Sequence, residues 1–216
     1  MRSALALCLL LSGVACTARA PTPEKGAPAA LEKPSAPAPA VPATSHWELD
    51  PENSSITFVC KHVFTNVRGM LQRPSGTLTI DDAAPAKSQV KASVAVETIS
   101  TGVEERDTHL KSADFFDAAK FPEISFASTS VSSAGGGAFK VTGDLSMHGV
   151  TKPVTLAVTA SPPFNHAGGI RRAIEASTTV NRRDFGLQWD FPGEGTGVVV
   201  GDTIKISIDA ELVLLP

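Results

Sequence analysis

From His46 to the end of the chain, apolar side chains recur at every second position, and a period of two belongs to half-buried β-strands rather than helices. Ile56, Phe58 and Cys60 share one face with Ser55, Thr57 and Val59 on the other; Val90, Ala92, Val94 and Val96 alternate with Gln89, Lys91, Ser93 and Ala95. The pattern returns in Ile124, Phe126 and Ser128, in Phe139 to Met147, and in Val154, Leu156 and Val158. It ends with Ile174, Ala176, Thr178 and Val180 and with the run from Ile204 to Leu214. With Trp47 and Leu49 at the start and Leu78 to Ile80 between, eight or nine strands fit this stretch. Ala134 to Gly137, His148-Gly149 with Pro153 soon after, and Pro162-Pro163 punctuate them as turns. So many strands with one apolar face each suit a closed antiparallel barrel or a sandwich, and the scarcity of helix argues against βαβ units.

One stretch interrupts the alternation. Residues 101–126, TGVEERDTHLKSADFFDAAKFPEISF, carry Arg106, Asp107, His109 and three phenylalanines, Phe115, Phe116 and Phe121. Glu104 and Glu105 suit a first helical turn, where the helix dipole favours anions, and Pro122 stops any helix that reaches it. The spacing predicts a helix of two or three turns, lying as a lid over one end of the barrel.

The N-terminal part is of another kind. Residues 1–15 place Arg2 before an apolar run from Ala4 to Leu11, which reads as an export signal too short to span a membrane. Gly13 to Cys16, GVAC, is similar to a bacterial lipobox, with Cys16 as the lipidation site. A competing cleavage site follows Ala20 in Ala18-Arg19-Ala20 and would release a soluble periplasmic or secreted protein. Residues 16–45 are dominated by Ala and Pro and cannot bury enough apolar surface to offset their ordering entropy, so they read as a disordered tether. The folded domain is expected over 46–216, held by an acyl anchor to a membrane of the bacterial cell envelope and facing the periplasm. Cys60 is then the one cysteine in the domain, a small inward-facing side chain with no disulfide partner.

Charge and motifs exclude several functions. The chain has a net charge of −3 and no basic stripe with interleaved aromatics, so nucleic acid is not a partner. His62, His109 and His148 are scattered, with no H-E-x-x-H, no H-x-H, no cysteine pair and no G-x-S-x-G elbow. No catalytic residue, metal ligand or cofactor is assigned, and the chain does not read as an enzyme. Phe191 to Asp202 is glycine-rich but lacks the Lys-Ser/Thr ending of a phosphate loop, and reads as a long hairpin connection. Phe185, Leu187, Trp189 and Phe191 lead into it at period two, as core or as a pore lining.

Several blocks together carry a resemblance. Trp47 with Asp50-Pro51, Ser55-x-x-Phe58-x-x-Lys61-His62 and the stretch RDTHLKSADFFDAAKFPEISF come first. Gly143-Asp144-Leu145 with His148 to Val154, and Asn181-Arg182 with Asp184-Phe185-Gly186, follow in order. This succession resembles the YceI-like family over about residues 46–214. The resemblance implies an all-β, eight-stranded antiparallel lipocalin-like barrel with a short lid helix, in exported bacterial proteins that bind polyisoprenoid or related long-chain lipids. The anchor with its tether, and Cys60, depart from the usual pattern, and the tether favours a membrane-held receptor or store over a free shuttle. The ligand is then the lipid itself, with no cofactor besides. The inward rows expected to bind it are Ile56, Phe58, Cys60, Val94, Val96, Phe126, Leu145, Met147, Ile174 and Ile206, closed over by Phe115 and Phe116. His62 and His109 read either as hydrogen-bonded structural groups or as contacts to a headgroup. Arg106 reads as the partner of Asp107 or as a fork for a phosphate headgroup. The residues leave open a structural or stress-related envelope protein with a packed barrel, or an enzyme acting on a lipid or quinone-like molecule, and whether two copies join as a homodimer around a longer ligand.

Overall fold

The computed structural model describes residues 38–62, 65–166, 168–189 and 200–216. The signal segment, Cys16, the tether up to residue 37 and most of the glycine-rich connection lie outside the described residues. The chain forms β1 (Thr44–Leu49), β2 (Ser55–His62), β3 (Thr65–Gln72), β4 (Ser75–Asp81), β5 (Gln89–Ala95), helix α1 (Glu104–Lys111), β6 (Glu123–Gly135), β7 (Ala138–Met147), β8 (Val150–Ala160), β9 (Phe164–His166), β10 (Gly169–Asn181) and β11 (Val200–Leu214).

β1 and β2 run end to end along one edge of β11: Leu49 faces Leu212, and beyond the break Ser55 faces Asp209 and Cys60 faces Ile204. β3 and β4 lie the same way against β2 and β1. Each pair is one long strand with a kink, and eight antiparallel strands then follow one another round a ring that β10 closes onto β11. The kinks have local causes. Asp50 accepts the Glu52 N–H at 3.1 Å and the Asn53 amide at 3.0 Å, an Asx turn that lifts the chain out of the ladder. Arg73, with φ of 58°, followed by Pro74, does so between β3 and β4. His148-Gly149 is the tight reversal expected from its residues, with φ of 51° and 73° in a two-residue hairpin.

The bore stays open because two aromatic rings lie against its wall. A Cβ on Gly69 would sit 2.3 Å from Phe58 Cζ, and one on Gly143 would sit 2.5 Å from Phe126 Cζ. Each ring therefore covers a glycine on a neighbouring strand instead of crossing the lumen.

One end is sealed. Trp47 and Leu212 are fully buried beside Leu49 and Ala210, and Trp47 Nε1 donates to Ser45 Oγ at 2.7 Å. Arg172 lies 5.5 Å from the Trp47 ring and meets Asp82 with two 3.0 Å hydrogen bonds. Arg171 donates to Asp50 and to Glu211, both at 2.6 Å. The Arg171 hydrogen bond, helped by Asn53, lowers the Asp50 carboxyl from 3.8 to about 2. A depressed folded-state value means that this stabilisation is complete above about pH 4 and is lost as pH falls toward 2. Asp50→Asn is therefore expected to lower the melting temperature near neutrality by roughly 5 °C and to flatten the acid limb below pH 4. Thermal melts by circular dichroism from pH 2 to 7 check both; an acid limb parallel to wild type would assign the acid sensitivity to other carboxylates.

Candidate ligand-binding site

The inward rows enclose a cavity of about 670 Å³, within the range of roughly 300–1,000 Å³ that ligand pockets occupy. Leu49, Ala210 and Leu212 form its floor, with Trp47 packed behind them. Ile56, Phe58, Cys60 and Val94 line one side; Phe126, Leu145, Met147, Ile174 and Ile206 line the rest. Val96 does not. The alternation stops at Ala95, where Val96–Thr98 forms a 3-10 turn, and Val96, 1% exposed, is turned into the wall with its amide on Pro122 O. Cys60 Sγ sits 3.4 Å from Gly201 O, and burial pushes its thiol up, so it stays neutral.

The other end is the mouth. Phe115, Phe116, His62, Arg106 and His109 all border the cavity there. His109 hydrogen-bonds Asp114 at 3.0 Å and meets the rings of Phe115 and Trp189 edge-on, each at 5.1 Å. Phe115 and Trp189 are themselves 5.0 Å apart, so three rings close over one side of the opening. Cross-strand pairing with Val200 holds His62 at the rim of β2.

Helix α1 buries none of its residues and is fastened by polar contacts instead. The Asp107 carboxylate accepts the Thr101 amide at 2.8 Å, the Thr101 hydroxyl and the Ser100 hydroxyl. Arg106 Nε donates to Thr101 Oγ1 at 2.7 Å and Nη2 to Thr101 O at 3.2 Å. The direct Arg106–Asp107 pair expected from sequence is thus replaced by two contacts to one threonine. Side chains one residue apart on a helix do not face each other, and Thr101 bridges them. Burial works against the Asp107 charge, but the Thr101 and Ser100 hydrogen bonds, with Arg106 nearby, outweigh it and hold the carboxyl below its ordinary range. Asp107→Asn is expected to cost about 1–3 kcal/mol of local stability and to speed amide exchange in residues 104–111 by at least about tenfold. Unchanged exchange would show that the lid is held by the phenylalanines alone.

Sequence reasoning missed Glu105 and Arg182 and left Leu187 and Trp189 open between core and pore lining; all four border the cavity near the mouth. A 3-10 turn over Arg182–Phe185 places the last three. The Asn181 side chain accepts the Arg183 amide, and Gly186 ends the turn with φ of 78°. Phe185, 2% exposed, belongs to the core, whereas Leu187 and Trp189 face the opening; Phe191 lies outside the described residues. Arg182 is the organiser. Its Nε donates to Gly201 O, Nη1 to Leu187 O and Trp189 O, and Nη2 to Val200 O, with Asp202 3.0 Å away. The signal was available, because Arg182 continues the inward series Ile174, Ala176, Thr178, Val180. Of the remaining histidines, His148 Nδ1 lies 3.2 Å from Phe185 O, while His46 and His166 are exposed, on strands β1 and β9 rather than in the loops their surroundings in the sequence suggest. Among the described residues no three His, Cys, Asp or Glu side chains come together to hold a metal.

Comparison with known proteins agrees with this architecture. A UPF0312 protein of Pseudomonas putida (strain GB-1) is 40% identical over 148 residues, which is 67% of this chain and 77% of that protein. A UPF0312 protein of Pseudomonas savastanoi pv. phaseolicola is 34% identical over 147 residues with the same coverage. Among solved structures, Burkholderia cenocepacia BcnA superposes with a TM-score of 0.67 at 24% identity, covering 76% of this chain and 98% of that one. A polyisoprenoid binding domain from Saccharophagus degradans, implicated in plant cell wall breakdown, superposes at 0.58 with 13% identity, covering 78% and 98%. At these identities the two structures share the fold. The YceI-like domain matches residues 47–212, from the Trp47 seal to Leu212 at the cavity floor, and the chain belongs to the YceI-like family.

Proposed function

We propose that the protein binds, without catalysis, a long-chain isoprenoid or similar amphiphilic lipid in the barrel bore, and stores, transports or sequesters it in the cell envelope. The observation that carries this reading is a cavity of about 670 Å³ lined by apolar side chains from its floor to its mouth, where the polar groups gather. The similar fold of a domain described as binding polyisoprenoid supports it. The energetics suffice. Burying about fifteen carbons gains on the order of 12 kcal/mol, and association and ordering take back at least about 4 kcal/mol. Micromolar binding or tighter follows without any polar contact. His62, Arg106 and His109 then meet the headgroup, and no cofactor is needed. The test is native mass spectrometry of protein exported in a bacterial host, with organic extraction. A bound long-chain lipid is expected. A clean apo mass together with no binding of added prenyl lipids would overturn the reading and leave a structural envelope protein.

The same reading places Cys16 under an acyl anchor. Cys16→Ser is expected to move the protein from the membrane fraction to the soluble one. A wild-type protein already soluble, with its N-terminus at Pro21, would instead establish cleavage after Ala20.

A further inference from the structure

The ladder between β8 and β10 stops halfway. It runs from the Ile174–Ala160 pair to Ser177–Ala157, although β8 reaches back to Val150 and β10 continues to Asn181. On their other edges both strands are paired throughout this stretch, β8 with β7 and β10 with β11. The sequence accounts for the gap. The Ser161 amide donates to Ala173 O, so the odd-numbered residues of β8 are those whose amides face β10. Beyond the Thr155–Thr179 step, continuing the ladder would need a donor at residue 153, and Pro153 has none. The Thr155 carbonyl, which the Thr179 amide would reach, accepts the Thr178 hydroxyl at 2.9 Å instead.

Outside this gap lies a groove of about 560 Å³, lined by Ala157, Ser177 and Ser207 and by Lys140 and Lys205. Leu156, Thr178 and Ile206 border both the groove and the inner cavity, so side chains rather than a complete ladder separate the two. We infer that this joint is a lateral portal, through which the apolar end of a chain too long for the cavity passes to lie in the outer groove. The inference rests on the lipid-binding reading. At about 30 Å³ per carbon-sized group, the share of one water in the liquid, the cavity holds roughly twenty, and a longer prenyl chain must emerge somewhere. The mouth is the poorer exit for hydrocarbon. Glu105 borders it, and His109, hydrogen-bonded to Asp114, meets the rings of Phe115 and Trp189 across it. In the groove, lysine stems and small side chains cover a chain while the ammonium groups stay in water.

The experiment compares binding of a prenol of about fifteen carbons with one of about fifty-five, below and above what the cavity holds. It uses the full chain as wild type, as Ala157→Trp, whose exposed side chain fills the groove, and as Pro153→Thr, which restores the missing donor. Wild type is expected to bind both prenols. Both variants are expected to keep the short one and to bind the long one at least about tenfold more weakly, a loss well outside binding-assay error. Hydrogen exchange supplies the second readout: the long prenol alone protects residues 151–157. Long-prenol binding unchanged in both variants, or protection of residues 104–111 in place of 151–157, overturns the portal. Failure of wild type to bind the short prenol overturns the lipid-binding reading, and the portal with it.

Discussion

Leu145→Trp is expected to weaken lipid binding by about 100-fold while the barrel still folds. Leu145 projects from β7 into the bore opposite Phe126 on β6, and it is only partly buried because its free side borders the cavity. An indole there takes space from the ligand rather than from neighbouring side chains. Excluding about four methylenes forfeits on the order of 3 kcal/mol, and each 1.4 kcal/mol is a factor of about ten in affinity. Val94 is a poorer place for the same test, although the alternation points to it equally. It is 3% exposed in a cluster with Leu71 and Ile99, where a larger side chain would overpack the wall at a cost of about 1–3 kcal/mol and confuse binding with folding. Titration with a fluorescent prenyl analogue, beside a thermal melt of the same sample, separates the two effects. Undiminished binding in a folded Leu145→Trp protein would place the ligand outside the bore.

The contrast between Leu145 and Val94 shows how far a period of two can be read. Alternation assigns each side chain to the inside or the outside of the wall, and it did so for Ile56, Phe58, Cys60, Phe126, Leu145, Met147, Ile174 and Ile206. It does not say how deeply a residue is wedged among its neighbours, which depends on how the strands are staggered round the ring. It also continues on paper where the backbone has already turned, as at Val96. The short helix was legible from Glu104, Glu105 and Pro122, but its fastening was not. That Thr101 accepts Arg106 and donates to Asp107 is a matter of where a loop passes, and no spacing encodes it. Pro153 was visible as a turn signal near His148-Gly149. Its larger consequence, a missing donor on the edge facing β10, emerges only once the register is known.

Arg182 should be the costliest single residue to remove. Its side chain is 4% exposed, and its guanidinium satisfies the carbonyls of Leu187, Trp189, Val200 and Gly201 while pairing with Asp202. A charge is buried here because the chain has left the ladder at Leu187 and Trp189 and β11 is irregular between Val200 and Ile204, so that both segments present carbonyl groups inward, where water is scarce; one planar fork with five donors meets them together. Arg182→Ala leaves these acceptors unpaired and is expected to destabilise the barrel by about 3–5 kcal/mol, a fall in melting temperature of roughly 10 °C. Lipid affinity should fall as well, since Leu187 and Trp189 lose the group that holds them over the mouth. Arg182→Lys separates charge from geometry. An ammonium retains the attraction to Asp202 but has three donors around a point, and it cannot span carbonyls contributed by two separate segments. Urea unfolding is therefore expected to show the lysine variant recovering less than half of the lost stability. Full recovery would mean that the ion pair with Asp202, and not the carbonyl fork, holds the mouth together.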